Sequence, residues 1–342
     1  MVTIKEIAKE LHLSTTTVSN VIHGKSWEVS PATVRRVKEA LDRKGYVPNL
    51  GARSLAQKES KIIGLALKAQ PDKAGNLIQD PFISVLTGAI EREIRNEGYY
   101  MMLYVSDKTE EIVRQARSWN VDGLILMGMV DDDGEWMDEH FKRPAVCVDN
   151  YSKEGLRRFV NIGLADEEGG YQMTRHLIGL GHRKIAFLSD GRYLPVDLAR
   201  FDGYRRAIAE AGIDFHEEDS VVYSPFEEER EQSLAKICGQ LRHYTAVFCV
   251  SDLYAVQLMG ALYDRGIRVP EDISVAGFDD TLLGRSHRPA LTTVRQDVEE
   301  KGVLAVKVII GLLKGEEPKE RDIRLPIHLV PRGSTASPGK KL

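Results

Sequence analysis

The chain has 342 residues, 42% of them hydrophobic and 29% charged, a balance that excludes general disorder and predicts two or three domains with real cores. The net charge of -4 argues against nucleic acid as a partner for the whole surface, and three cysteines without close spacing (Cys147, Cys238, Cys249) argue against a disulfide framework or a cysteine-bound metal. With no basic-then-apolar leader and no apolar run near the roughly 18 residues that span a bilayer, the expected setting is the cytoplasm, with no membrane partner.

Charge is uneven along the chain. Residues 1–60 hold ten Lys/Arg against six Asp/Glu, so the head is net basic and the remainder acidic, which predicts a polyanion partner for the head alone. Thr3 followed by Glu6 is a capping-box pattern, and Ile4, Ile7, Ala8 and Leu11 form one apolar stripe, so a first helix runs to about Leu11. Ser14 caps a second helix, whose Val18, Val21 and Ile22 face a core while its hydroxyls face outward. Ser30-Pro31 announces a third, with Val34, Val37 and Leu41 inward and a stop at Gly45.

These helices make a helix-turn-helix unit over residues 1–46. A helix entering the major groove must be slim, and short polar side chains reach phosphates and base edges without a clash. Thr15, Thr16 and Asn20 are expected on base edges, and Ser14, Thr17, Ser19 and His23 on phosphates, with Lys5, Arg35 and Lys38 supplying positive charge. Over residues 47–59, Pro48 blocks continuation of the third helix and Asn49 caps a new segment of about two turns, too short to persist alone. A hinge helix that forms against a symmetry mate on DNA is expected, with Ala52, Arg53 and Leu55 in contact and Leu55 as a minor-groove wedge.

From residue 60 onward, apolar strands alternate with helix-length segments: IIGLAL, MMLYV, GLILM, AVCVD, IAFLS, AVFCV and ISVAGF. This alternation predicts parallel sheets, and the rough repeat of IIGLAL…AIEREIRNEGY in IAFLS…RRAIAEAGI predicts two similar doubly wound lobes. The expected boundaries are 60–160 with 291–320 for one lobe, 161–290 with 321–332 for the other, and a flexible tail at 333–342. Ligands bind such sheets at the C-terminal ends of strands, and a cleft between two lobes doubles the opportunity.

Polar groups stranded at strand ends mark the candidate cleft. Asp149 ends AVCVD, Ser251 and Asp252 follow AVFCV, and Asp279 and Asp280 end ISVAGFDD. Arg200 is expected to begin the helix after the loop 191–195, and Phe82 to lie near the start of its own helix. Phe82, Asp149, Arg200, Ser251 and Asp279 form the expected effector set, with Asp252 and Asp280 assigned to structure. Carboxylates, an arginine and an aromatic ring suit vicinal hydroxyls with a ring face against C–H groups, which favours a sugar. As ligand contacts, Arg200 and Asp279 are expected to be removable at little cost in stability.

Enzyme readings find no support in motifs. Asp149 and Asp279 have the chemistry of a general acid and base, but GKS at 24–26 lacks the glycine and strand of a phosphate loop, and no G-x-S-x-G or H-E-x-x-H occurs. His176 and His182 have no metal spacing, and the acidic runs at 131 and 227 lack a calcium-loop pattern. No catalytic residue, metal or cofactor is expected.

The run TIKEIAKELHLSTTTVSNVIHGK…VSPATVRRVKEALDRKGYVPNLGARSLA resembles the head of the lactose-repressor (LacI/GalR) family of bacterial transcription regulators. LTGAIEREIRNEGYYMMLY, VDGLILMG, HLIGLGHRKIAFL, ARFDGYRRAIAEAGI, PEDISVAGFDD and PALTTVRQDVEEKG resemble that family's successive core segments, in order. The resemblance implies a body like the periplasmic binding proteins, a homodimer or higher assembly on a near-palindromic operator, and a small effector, a sugar or sugar derivative, in the cleft. Two alternatives are a body governed by a phosphorylated carrier protein, as in the family's catabolite-control members, and a sugar-binding or enzymatic module with an incidental head. Two departures stand out: His12 replaces the usual turn glycine, a conformation that histidine tolerates, and Asn20 stands where an arginine or similar residue often reads a base.

Overall fold

Residues up to Ser60 and from Lys61 onward form two units, each described by itself; the structure, a computed structural model, describes residues 2–22, 24–46, 59–69, 77–129, 131–150, 159–191, 194–224 and 226–339. The head contains α1 (Ile4–Leu11), α2 (Thr15–Ile22) and α3 (Pro31–Arg43). Thr3 Oγ1 accepts the Glu6 N–H at 3.3 Å and Glu6 Oε2 accepts the Thr3 N–H at 2.9 Å, so the capping box forms as the sequence predicts. His12 closes α1 in the left-handed region, with φ 53° and ψ 42°. Ser30 Oγ caps α3 at the Thr33 N–H, 3.3 Å away, and Pro31 takes the first turn, where its missing N–H costs nothing. Ile7, Ala8, Val18, Val21, Val37 and Ala40 form the buried core, with Val34 and Leu41 half-buried against it. The hinge expected at residues 47–59 lies, up to residue 58, outside the described residues.

The body runs β1 (Ile62–Lys68), α4 (Pro81–Asn96), β2 (Tyr100–Ser106), α5 (Thr109–Ser118), β3 (Gly123–Met127), α6 (Asp131–His140), β4 (Ala145–Val148), β5 (Val160–Leu164), α7 (Asp166–Gly179), β6 (Ile185–Ser189), α8 (Pro195–Glu210), β7 (Ser220–Val222), α9 (Arg230–Gln240), β8 (Ala246–Cys249), α10 (Asp252–Tyr263), β9 (Ser274–Asp279), α11 (Leu282–Ser286), β10 (Thr292–Arg295), α12 (Val298–Leu313), β11 (Asp322–Leu325) and β12 (His328–Val330). Among the described residues two six-stranded sheets form, ordered β11-β5-β4-β3-β1-β2 and β12-β10-β9-β8-β6-β7. The ladders are parallel except where β12 runs antiparallel to β10. Continuous apolar runs such as β3, β4 and β8 are the composition of strands covered on both faces by helices. No described helix is long and apolar enough to cross a membrane.

The lobe boundaries differ from those expected. The sequence reading crosses to the second lobe at 161, yet β5 at 160–164 pairs with β4 in the first sheet. It returns at 291, yet β10 at 292–295 pairs with β9 in the second sheet, and only α12 packs back on the first lobe, against α4. It crosses again at 321, yet β11 at 322–325 pairs with β5, and β12 at 328–330 joins β10. Each error places a crossing one strand early, because an apolar run shows that a strand exists but not which sheet completes its hydrogen bonds.

The expected flexible tail is also corrected over residues 334–336. Ser334 is fully buried: its Oγ donates to the Val275 carbonyl at 2.6 Å and accepts the Thr292 N–H at 2.8 Å. The Ala336 N–H reaches Ser274 Oγ at 3.1 Å, and its carbonyl lies 2.9 Å from His182 Nε2. The other ring nitrogen of His182 meets Thr245 Oγ1 at 2.9 Å, and His176 Nε2 meets Thr335 Oγ1 at 3.2 Å. Burial holds both imidazoles below the ordinary value of 6.5, so the folded state resists protons that the unfolded chain accepts. The stability at stake is present above the ordinary value and lost as the pH falls below it. The thermal midpoint should therefore fall between about pH 7 and pH 5.5. In a His176→Gln/His182→Gln variant the fall should be shallower, and equal slopes would contradict the assignment.

Candidate functional site

The C-terminal ends of β1, β3 and β4 on one lobe and β8 and β9 on the other face a common cavity of about 770 Å³. Phe82, Asp149, Arg200, Ser251 and Asp279 all line it, together with Tyr223, Tyr254 and Gln296. Phe82 enters because Asp80 caps α4, its Oδ1 accepting the N–H groups of Phe82 at 2.8 Å and Ile83 at 3.2 Å. Ser251 Oγ likewise caps α10 at the Tyr254 N–H, 3.4 Å away, so it carries both a structural and an exposed polar role.

A chain of polar contacts runs under the cavity from one lobe to the other. Lys301, on the inner face of α12 and fully buried, donates to both Asp149 oxygens at 2.7 and 2.8 Å and to Gln296 Oε1 at 2.9 Å. Gln296 Nε2 then donates to Asp279 Oδ1 at 2.6 Å. Arg200 Nη1 stands 3.9 Å from that same oxygen and donates to the Val250 carbonyl at 2.8 Å, while Arg200 Nε donates to Asp166 Oδ1 at 2.7 Å. Burial raises the Asp149 carboxyl above its ordinary value, with the Lys301 ammonium opposing. Burial raises Asp279 well above its ordinary value, with Arg200 opposing.

Backbone strain gathers at the same strand ends. Asp149, Asp279 and Asp280 take positive φ of 54°, 122° and 59°, conformations that usually fall to glycine. Each aims a carboxylate that a glycine could not supply.

Arg200 departs from its expected place. It lies in the second turn of α8, not at the helix start, and its guanidinium stacks 3.7 Å from the Phe278 ring centre. A Cβ at Gly170 or Gly203 would strike the backbone of the facing helix at Arg200 or Glu167, so these glycines let α7 and α8 approach closely enough to pair Asp166 with Arg200. Burial works against the Arg200 charge, yet Asp166 and Asp279 hold it protonated, above its ordinary value. The expectation of a dispensable Arg200 is therefore corrected: removing it would leave Asp166 buried without its cation. Asp252 and Asp280, expected to be structural, are engaged by groups of the protein itself. Asp252 accepts from the Thr281 N–H at 2.7 Å and Thr293 Oγ1 at 2.6 Å, and Asp280 pairs with Arg285 and Arg332 at 2.9 and 2.5 Å.

In the head, Thr15 and Thr16 are exposed on α2, and Ser19 and Asn20 are half-buried. The Ser14 hydroxyl is engaged as the cap, accepting the Thr17 N–H at 3.0 Å with Thr17 Oγ1 2.8 Å away, so those two hydroxyls serve the helix start. Asn20 Nδ2 donates to Glu28 Oε2 at 2.7 Å, which fixes the amide's orientation. His23, Ala52, Arg53 and Leu55 lie outside the described residues. Lys301, Gln296 and Asp166 were missed. A lysine between Val298 and Ala305 on an apolar helix face was the available signal for Lys301. Among the described residues, no group of histidine, cysteine and carboxylate side chains is arranged to hold a metal.

A three-helix head of this geometry with a two-lobed α/β body defines a DNA-binding transcriptional regulator. Residues 3–49 match the family described as bacterial regulatory proteins, lacI family, and residues 174–335 match the periplasmic binding protein-like domain. The transcriptional repressor PurR of Vibrio atlanticus (strain LGP32) is 33% identical over 98% of both chains. The regulator GalR of Escherichia coli (strain K12) is 31% identical over 99% of this chain and 97% of its own. Among solved structures, the lac repressor dimer bound to operator and the anti-inducer ONPF aligns with a TM-score of 0.84 at 26% identity, over 98% of this chain and 99% of that one. The regulator CelR in complex with cellobiose aligns at 0.71 and 26%, over 98% and 100%. The chain belongs to the lacI family.

The buried ammonium gives a direct stability test. Lys301→Met keeps the volume but strands Asp149, so it should cost about 3–5 kcal/mol by urea unfolding. A cost of roughly 1 kcal/mol or less would mean that Asp149 finds other partners or is protonated.

Proposed function

We propose that the chain represses transcription as a homodimer on a near-palindromic operator, and that a small polyhydroxylated molecule, a sugar or sugar derivative, controls it from the inter-lobe cavity. The observation that carries this reading is the convergence of Phe82, Asp149, Ser251 and Asp279, from both lobes, on one cavity of about 770 Å³, within the size range of small-molecule sites. Carboxylates accept hydroxyl protons, and the Phe82 ring offers an apolar face to C–H groups. The cellobiose complex of CelR and the operator-bound lac repressor dimer support the ligand class and the assembly.

Exposed apolar side chains supply surface for a partner subunit: Tyr100, Leu103 and Val105 on the edge strand β2, and Tyr263 and Leu282 on the second lobe. Twofold symmetry would present two copies of α2 to half-sites about one helical turn apart. Thr15, Thr16 and Asn20 read bases in this account, Ser14, Thr17, Ser19 and His23 lie along phosphates, and Ala52, Arg53 and Leu55 form the hinge contact. Such a protein works in the cytoplasm, where its operator is.

Two outcomes are expected. In a binding-site selection, Thr16→Ala should relax preference at one operator position at a cost of about 1–3 kcal/mol, and an unaltered preference at every position would remove Thr16 from the reading face. In anisotropy titrations with operator, Phe82→Leu and Asp279→Asn should leave the affinity without effector near that of the parent while shifting the effector midpoint at least roughly tenfold. Parent-like midpoints in both variants would place the sensing site elsewhere.

A further inference from the structure

Among the described residues three cationic side chains line the inter-lobe cavity, and two of them are already held. Lys68 pairs with Asp133 at 2.5 Å, and Arg200 with Asp166 at 2.7 Å. The third, Arg230, opens α9 on the second lobe, is half-buried, and has a buried Nε without a hydrogen-bond partner among the described residues. No carboxylate of a described residue pairs with it, although Glu228, Glu229 and Glu231 flank it in sequence; Glu229 instead accepts from Ser224 Oγ at 2.8 Å.

A buried guanidinium donor without an acceptor is costly, and its planar fork is shaped for an oxyanion. None of the described carboxylates that line the wall, Asp80, Asp149, Asp197, Glu228 and Asp279, pairs with it. Asp149 is committed to Lys301, Asp279 to Gln296 and Arg200, and Asp80 to the start of α4. Tyr223, whose hydroxyl burial pushes up to about 12 with the Arg230 charge pulling the other way, lines the same cavity. Tyr223 in turn donates to Gln257 Oε1 at 2.9 Å, which leaves the amide hydrogens of Gln257, another lining residue, for a further acceptor.

We propose that the effector is an acidic sugar derivative, carrying a phosphate or carboxylate, and that Arg230 receives this oxyanion with help from Gln257. Its hydroxyls meet Asp149 and Asp279 on the far wall. The inference rests on the cleft reading given above and adds a charge requirement to it.

Calorimetric titration of the full-length chain tests it with a matched panel: glucose, galactose and ribose, their phosphate esters, glucuronate and galacturonate, and inorganic phosphate as the smallest probe. At least one acidic member should bind tenfold or more tighter than its neutral parent. Arg230→Gln should remove roughly tenfold to a hundredfold of that affinity, the range for a charge-assisted contact, and Arg230→Lys should retain an intermediate affinity. A unique response to esters assigns phosphate as the anion, and one to uronates assigns carboxylate. Circular dichroism melts of both variants separate lost contact from lost fold. A neutral sugar that binds as tightly as its acidic forms, with Phe82→Leu weakening it and Arg230→Gln changing it less than twofold, overturns the charge requirement and leaves the cleft reading standing. Binding of no panel member overturns both.

Discussion

A lysine ammonium with no exposure to solvent is the constraint on which the body's centre depends. Lys301 sits on α12, the helix by which the chain returns from the second sheet to the first, and its hydrogens go to Asp149 and Gln296. Burying an unpaired ammonium would cost several kcal/mol, so the charge forces Asp149, at the end of β4, into place. Gln296 transmits the constraint across the crossover segment to Asp279, at the end of β9. One buried cation therefore fixes polar groups of both lobes at the floor of a single cavity.

This arrangement explains how the cavity combines order with polarity. Its carboxylates are oriented by strained backbone at Asp149 and Asp279 and by partners beneath them, so a ligand meets acceptors already in position. A ligand that touches both walls favours one angle between the lobes, and only a difference in its affinity for two arrangements can alter DNA binding. The internal pairing of Lys68, Arg200 and Lys301 also makes Arg230 meaningful, since among the described residues its Nε is a buried donor with no acceptor.

Much of this was legible in the sequence because local rules and global structure agree there. The capping box at Thr3 and Glu6 and the proline at the start of α3 follow from cap chemistry alone, whereas the left-handed His12 was legible only through the family resemblance, which places a turn glycine there. Asp149, Ser251 and Asp279 were legible because polar residues that end apolar runs mark the C-terminal ends of parallel strands, and Phe82 because it lies at the start of the helix after the first strand. The crossing points were misplaced because sheet membership of β5, β10 and β11 is decided by pairing between segments distant in sequence. Lys301 and Asp166 were missed for a related reason: a charge inside a core is read as a surface residue until its partner from another segment is known. The hydroxyls of Ser14 and Thr17 show the converse, since a short polar side chain serves a helix start as readily as a ligand.

The central claim is that cavity and operator are thermodynamically coupled. Its most direct test is the calorimetric affinity of one identified effector for the chain, measured first free and then saturated with operator, beside the operator affinity with and without that effector. Linkage requires the same factor in both directions, expected at about 5- to 150-fold. An effector that binds the cavity with one affinity whether or not operator is present would contradict the account.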